Sequence, residues 1–167
     1  MDTRRLSDLS AAADAAPPAD CLDAAERVRE LFGQARAVQE RSAAVLAETV
    51  ATAAGRLAAA LAAGGKVLVC GNGGSAGDAQ HLSSELLNRF ERERSGYAAV
   101  ALTADSSTLT SIANDYAYAE VFARQVLALG RPGDVLVAIT TSGRSPNVAQ
   151  AVAAAHEAGM QVLALTG

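Results

Sequence analysis

The chain is poor in the residues that usually announce a chemistry. It has two cysteines, Cys21 and Cys70, whose separation suits neither a metal-ligand set nor a recognisable disulfide framework. Cys70 closes an apolar run and reads as a small core hydrophobe at a strand end. Tryptophan is absent and aromatics make up only 4% of the 167 residues. No cluster of Lys or Arg stands out and the formal net charge is −4. That argues against a nucleic-acid surface and leaves a protein partner open. No run of 18 apolar residues is free of charge or glycine, which argues against a membrane-spanning helix. The first residues, "MDTRRLSDLSAAADAAPPAD", hold two arginines with no compact apolar segment after them, so no signal peptide is expected. These absences point to a cytoplasmic chain with neither a membrane nor a direct nucleic-acid partner.

What is abundant is alanine, within a composition that is 50% apolar. Alanine favours helix and close helix packing. A chain of this length forms one domain with a real core. Residues 1–21 offer little to bury and read as a mobile tail. From Leu22 the pattern turns helical: Val28, Leu31, Phe32, Ala35 and Val38 recur on one side, then Leu46, Val50, Ala53, Leu57 and Leu61 on a second stripe. Gly64 and Gly65 end it. The expectation over 22–63 is a pair of amphipathic helices that pack on each other or on copies in other subunits.

Beyond residue 64 the chain alternates. Apolar runs at 66–70, 97–102, 134–139 and 161–165 are strand candidates, separated by helical patterns at 75–90, 105–113, 117–129 and 145–159. Parallel strands need crossovers, and helices covering both faces make the strands uniformly apolar. The expected class is α/β: a three-layer sandwich around a parallel sheet, preceded by the helical pair. The sequence reaches Gly167 straight after a buried-looking strand, where a loop and a covering helix are expected, and so reads as cut.

Two strand ends are rich in small and hydroxyl residues, "GNGGSAGD" after 66–70 and "TTSGRSPN" after 134–139. Open parallel sheets bind ligands beyond the carboxyl ends of their strands. Glycines free backbone N–H groups, helix N-termini add partial positive charge, and hydroxyls add neutral donors, which together suit a phosphate. Ser145 reads as an N-cap with Pro146 as the first helical residue. Either loop alone is compatible with an ordinary strand-to-helix turn; two at comparable ends of one sheet favour a ligand. Neither matches G-x-x-x-x-G-K-[ST], and the first lacks G-x-G-x-x-G, so a small phosphorylated molecule is favoured over a nucleotide.

The helix after the first loop carries His81 and Glu85 at i, i+4. Such a pair can share a divalent metal, act as general acid and base, or be a surface ion pair. Asn114 and Asp115 in "SIANDY" suit turn chemistry or hydrogen bonds to sugar hydroxyls. His156 has no comparable partner and reads as a solvated or capping residue near a helix end.

The segments "CGNGGSAGDAQHLSSELLNRFERER", "SIANDYAYAEVF" and "GRPGDVLVAITTSGRSPNV" resemble the sugar isomerase (SIS) domain family, and within it the phosphoheptose isomerases, from about Leu31 to the last residue. The resemblance implies a flavodoxin-like SIS domain over 64–167. It implies isomerisation of D-sedoheptulose 7-phosphate to D-glycero-D-manno-heptose 7-phosphate through an enediol, for bacterial heptose and lipopolysaccharide precursors. Asn72, Gly73, Gly74, Ser75, Glu85, Asn114, Asp115, Thr140, Thr141, Ser142 and Ser145 would bind the sugar phosphate. His81 and Glu85 would be zinc ligands, one ion per subunit, with Glu85 moving the proton between C1 and C2. The family is typically homotetrameric, with its N-terminal helices packed at the centre. Its members continue past "LTG" with a strand and a helix that bring a glutamine and a histidine to the metal and acid/base site. A related non-enzyme, the DnaA initiator-associating protein, shares the fold and binds a replication initiator. It typically lacks a glutamate at the position of Glu85. Sugar-phosphate sensors with SIS domains usually follow a helix-turn-helix, and residues 1–60 show none.

Overall fold

The computed structural model describes residues 19–167 of the chain. The mobile tail expected over 1–21 lies outside the described residues up to position 18, and helix is already present from Ala19. The chain divides into two compact units, 1–50 and 51–167.

The first unit, so far as it is described, is helical throughout. Val28, Leu31, Phe32, Val38, Val45, Leu46 and Val50 are all exposed there, Phe32 to 74%. Between them run short-range ion pairs, Arg27–Glu30 at 3.0 Å and Arg36–Glu40 at 3.7 Å. The expected helical pair is corrected here: α1 is one uninterrupted helix, Ala19–Ala62. No proline interrupts it, and Gly33 and Gly55 are tolerated at a cost of about 1 kcal/mol each. The two apolar stripes therefore lie along one helix. By length and composition alone Asp23–Ala62 is long and apolar enough to cross a membrane. It carries Glu26, Arg27, Arg29, Glu30, Arg36, Glu40, Arg41, Glu48 and Arg56, ionisable groups that are expensive in hydrocarbon.

The second unit is the α/β sandwich. Its strands are β1 (Val67–Gly71), β2 (Ala99–Ala101), β3 (Val135–Thr140) and β4 (Gln161–Thr166). Its helices are α2 (Gly74–Leu87), α3 (Ser106–Asp115), a short 3₁₀ turn (Tyr118–Glu120), α4 (Ala123–Leu129) and α5 (Pro146–Glu157). All strand pairs are parallel, in the order β2-β1-β3-β4.

Alternation along the central strands sends side chains to two cores. Leu68, Cys70, Leu136 and Ala138 join Leu102, Val121, Phe122, Val126, Val148, Ala151 and Met160 on one face. Val67, Val69, Val135 and Val137 join Ala79 and Ala60 on the other, with Leu57, Leu61, Leu82 and Leu86 packed around them. Both faces of β1 and β3 are thus covered, which explains why their sequences are apolar without alternation. Beneath the sheet, Asp134 is 3% exposed and ties the strand entrances together. It accepts from Lys66 Nζ at 2.5 Å, Lys66 N at 2.9 Å and Arg131 N at 2.8 Å. Among the described residues, strand β4 pairs with β3 alone and is largely exposed.

The strand order positions the site. From β1 the chain moves to β2 on one side, and β3 then lies on the other side of β1. Connections leave β1 and β3 in opposite directions, opening a crevice between their carboxyl ends, where such sheets bind ligands.

Candidate active site

The two loops singled out in the sequence meet at this crevice. Gly71 at the end of β1 is registered opposite Ile139 of β3, so residues 72–74 and 141–145 leave adjacent strands side by side. Gly71 has no room for a side chain: an added Cβ would lie 2.6 Å from Ser75 O and 2.8 Å from Ser75 Cβ. The first turn of α2 is thereby held hard against the strand end. Gly73 has φ +56°, the left-handed region glycine adopts at little cost.

Helix caps distinguish these two turns from the third. At the start of α3, Asp105 caps in the usual way, accepting from Ser107 N and Thr108 N. The starts of α2 and α5 have neither a side-chain cap nor an acidic residue in the first turn. Their dipoles face the crevice without a built-in counter-charge, which favours a bound anion, although at α5 Pro146 has no N–H and that of Val148 is taken by Asn147 Oδ1. Ser145 does sit at the N-cap position before Pro146, but its hydroxyl does not cap. It pairs with Thr140 Oγ1 at 3.1 Å instead.

The structure brings Asn72, Thr140 and Ser145 together on these two turns and leaves Gly73, Gly74, Thr141 and Ser142 exposed beside them. Ser75 is buried beneath the loop, one residue inside α2. Two residues that sequence reasoning did not single out complete the cluster. Asn72 and Asn147 exchange amide hydrogen bonds, each 2.8 Å, and Tyr118 Oη donates to Asn72 Oδ1 at 3.2 Å. Asn114 and Asp115, at the end of α3, bond to each other at 2.9 Å. Tyr118, just beyond them, links their segment to Asn72. Cys70 lies one residue before the loop and is no nucleophile: burial pushes its thiol up to about 12.

His81 and Glu85 sit elsewhere on α2. Their side chains face each other, Nε2 to Oε1 3.3 Å, with the carboxylate the less exposed. They line a cavity of about 540 Å³ with Asp78, Leu82, Leu86, Phe90 and Arg94; of the two loop segments only Asp78, the last residue of "GNGGSAGD", reaches it, and neither residues 72–74 nor 140–145 do. At a rise of about 1.5 Å per residue, His81 and Glu85 stand about 10 and about 16 Å along the helix from Gly74. Arg94 anchors the end of α2, donating to Glu85 O at 2.7 Å and Leu86 O at 2.9 Å while stacking on Tyr97. His81 and Glu85 do not by themselves make a zinc site. Zinc takes four ligands, and among the described residues no third His, Cys, Asp or Glu joins them.

The SIS domain pattern matches residues 30–167. The chain belongs to the SIS domain family. It is 61% identical to the phosphoheptose isomerase of Alkalilimnicola ehrlichii over 142 residues, which is 85% of this chain and 72% of that protein. It is 70% identical to the phosphoheptose isomerase of Thiobacillus denitrificans over 122 residues, 73% of this chain. The chain spans 62% of that relative's length. Among solved structures, the phosphoheptose isomerase of Francisella tularensis superposes with a TM-score of 0.83 at 44% identity, covering 86% of this chain and 75% of that one. That of Neisseria gonorrhoeae gives 0.79 at 49%, covering 85% and 74%. Within the SIS domain family, the chain is thus a member of the phosphoheptose isomerases. These relatives lend no support to the initiator-binding alternative.

Proposed function

We propose that this SIS-domain protein isomerises D-sedoheptulose 7-phosphate to D-glycero-D-manno-heptose 7-phosphate in the cytoplasm, supplying heptose for lipopolysaccharide precursors. The observation that carries the proposal is the pair of uncapped helix starts at the β1/β3 crevice, with a His–Glu pair further along the helix that leaves the first loop. The phosphate sits on the N–H groups of the two turns, helped by the hydroxyls of Ser75, Thr140, Thr141, Ser142 and Ser145. Asn72, Gly73, Gly74, Asn114 and Asp115 take the remaining sugar oxygens and phosphate contacts.

Glu85 is the catalytic residue of the proposal. Its carboxylate removes a proton from C1 of the ketose as a double bond forms between C1 and C2 and the C2 carbonyl pair moves onto O2, which takes up the hydroxyl proton of O1. The same carboxyl returns its proton to C2 as the electron pair on O1 forms the carbonyl of the aldehyde at C1. His81 holds the carboxylate in place.

His81 and Glu85 are offered as half of a zinc site whose other ligands lie outside the described residues; no step is assigned to the ion. The exposed apolar face of α1, Phe32 above all, supports assembly of subunits into a homotetramer.

The test is Glu85→Gln, which keeps shape and removes the base. Losing a positioned general base costs roughly 10²–10⁴-fold in rate. The variant is expected to fold, bind the sugar phosphate and lose turnover by that factor. Retained turnover would remove Glu85 from the mechanism.

A further inference from the structure

Asn147 is an asparagine with no access to a ligand. It is 2% exposed, yet both ends of its amide are engaged. Its Oδ1 accepts from Val148 N at 3.0 Å and from Asn72 Nδ2 at 2.8 Å, and its Nδ2 donates to Asn72 Oδ1 at 2.8 Å. The backbone N–H of Val148 can only donate, so the oxygen of Asn147 must face it. That fixes which end of the Asn147 amide is which, and through the reciprocal pair it fixes Asn72 as well.

Asn72 then has little freedom left. Its Oδ1 accepts from both Asn147 Nδ2 and Tyr118 Oη, which uses both lone pairs. One N–H of its Nδ2 is spent on Asn147. What remains, among the described residues, is the second N–H of a half-buried side chain on the ligand loop. Asn72 is therefore locked as a hydrogen-bond donor. A free asparagine could turn its oxygen outward and repel a phosphate or sugar oxygen; this one cannot.

We propose that Asn147, with Tyr118, is a positioning residue that holds Asn72 in its donor-outward state across the β1/β3 crevice. The inference rests on the reading of Asn72 as a substrate-binding residue. The two partners come from separate elements: Asn147 from the first turn of α5 and Tyr118 from the 3₁₀ turn after α3. The clasp joins both loops and the segment following Asn114 and Asp115 through one amide.

A double-mutant cycle tests this, with KM, kcat and melting temperature measured on the whole chain with sedoheptulose 7-phosphate. Asn147→Ala is expected to raise KM about tenfold, the worth of one well-oriented hydrogen bond, with kcat within about twofold. In an Asn72→Ala background the same substitution should leave KM unchanged, because the residue it positions is gone. A KM effect of equal size in both backgrounds, or none in either, overturns the proposal even if the melting temperature falls. Should Asn147→Ala fail to fold, Tyr118→Phe carries the decision, since it removes only an exposed-side hydroxyl. It should raise KM about two- to threefold with Asn72 present and leave it unchanged in the Asn72→Ala background. An unchanged KM with Asn72 present overturns the proposal. If the unsubstituted chain binds sedoheptulose 7-phosphate by calorimetry without turning it over, the isomerase reading fails and the same cycle is read on Kd. If it does not bind it at all, both fail.

Discussion

Gly71→Ala places a single methyl group where the account has the least slack. The added carbon would sit 2.6 Å from Ser75 O, 2.8 Å from Ser75 Cβ and 2.9 Å from Ser75 C. Ordinary contact begins near 3.4 Å, so α2 must retreat from β1 by about 0.8 Å. The nearest obstacle is backbone, so no rotamer relieves it. Overpacking of this kind costs about 1–3 kcal/mol. For a chain of this size that lowers the melting temperature by about 2–12 °C. The functional cost should be larger than the stability cost. The same retreat moves the first turn of α2, and displacements near 1 Å cost up to about 10²-fold in catalysis. Gly77→Ala in the same helix is the control: nothing lies within 4 Å of its added carbon, and stability should rise by about 0.4–1 kcal/mol. Thermal melts and steady-state kinetics of both variants decide the matter. Gly71→Ala with wild-type melting and kinetics would refute the claim that this close approach sets the ligand loop.

Other consequences follow from buried groups. With Cys21 replaced by serine, Cys70 should resist thiol reagents at pH 8 in the native chain and react only on unfolding, because burial holds its thiol at about 12. Prompt labelling of the native chain would contradict its place in the core. Asp134 is pushed up by burial, but hydrogen bonds from Lys66 and Arg131 outweigh that and leave its carboxyl below the ordinary range. Its stabilising contribution is therefore present above the unfolded carboxylate pKa, near 4, and lost as pH falls through the lower folded value. Asp134→Asn should cost about 3 kcal/mol at pH 7 and flatten the acid limb of the stability curve; an unchanged limb would remove Asp134 as its source.

Much of the sheet is legible in the sequence because β1 and β3 are buried on both faces and so read as unbroken apolar runs. The edge strand β2 is not: residues 97–102 look like six residues of strand, but only Ala99–Ala101 pair. Tyr97 N instead bonds Leu86 O, and Leu102 turns into the core. The single helix α1 reads as two because its apolar stripe changes composition near residue 40, while nothing in the sequence breaks the backbone there. The stretch 117–129 reads as one helix, but a 3₁₀ turn precedes α4 and aims Tyr118 at Asn72. The ligand loops are legible from glycine and hydroxyl content. Asn147 is not, because its partner Asn72 is 75 residues away and nothing local marks a buried asparagine in a helix's first turn as anything but a cap. The sequence also suggests Ser145 as the cap, but Thr140 competes for its hydroxyl.

The central claim, that the chain moves a proton between neighbouring carbons of a heptose phosphate, is tested most directly by following sedoheptulose 7-phosphate with the purified chain in D₂O by proton NMR. The account predicts an aldoheptose 7-phosphate carrying deuterium at C2, because the proton held on Glu85 exchanges with solvent between removal and return. Substrate that remains unconverted and unlabelled at C1 would contradict it.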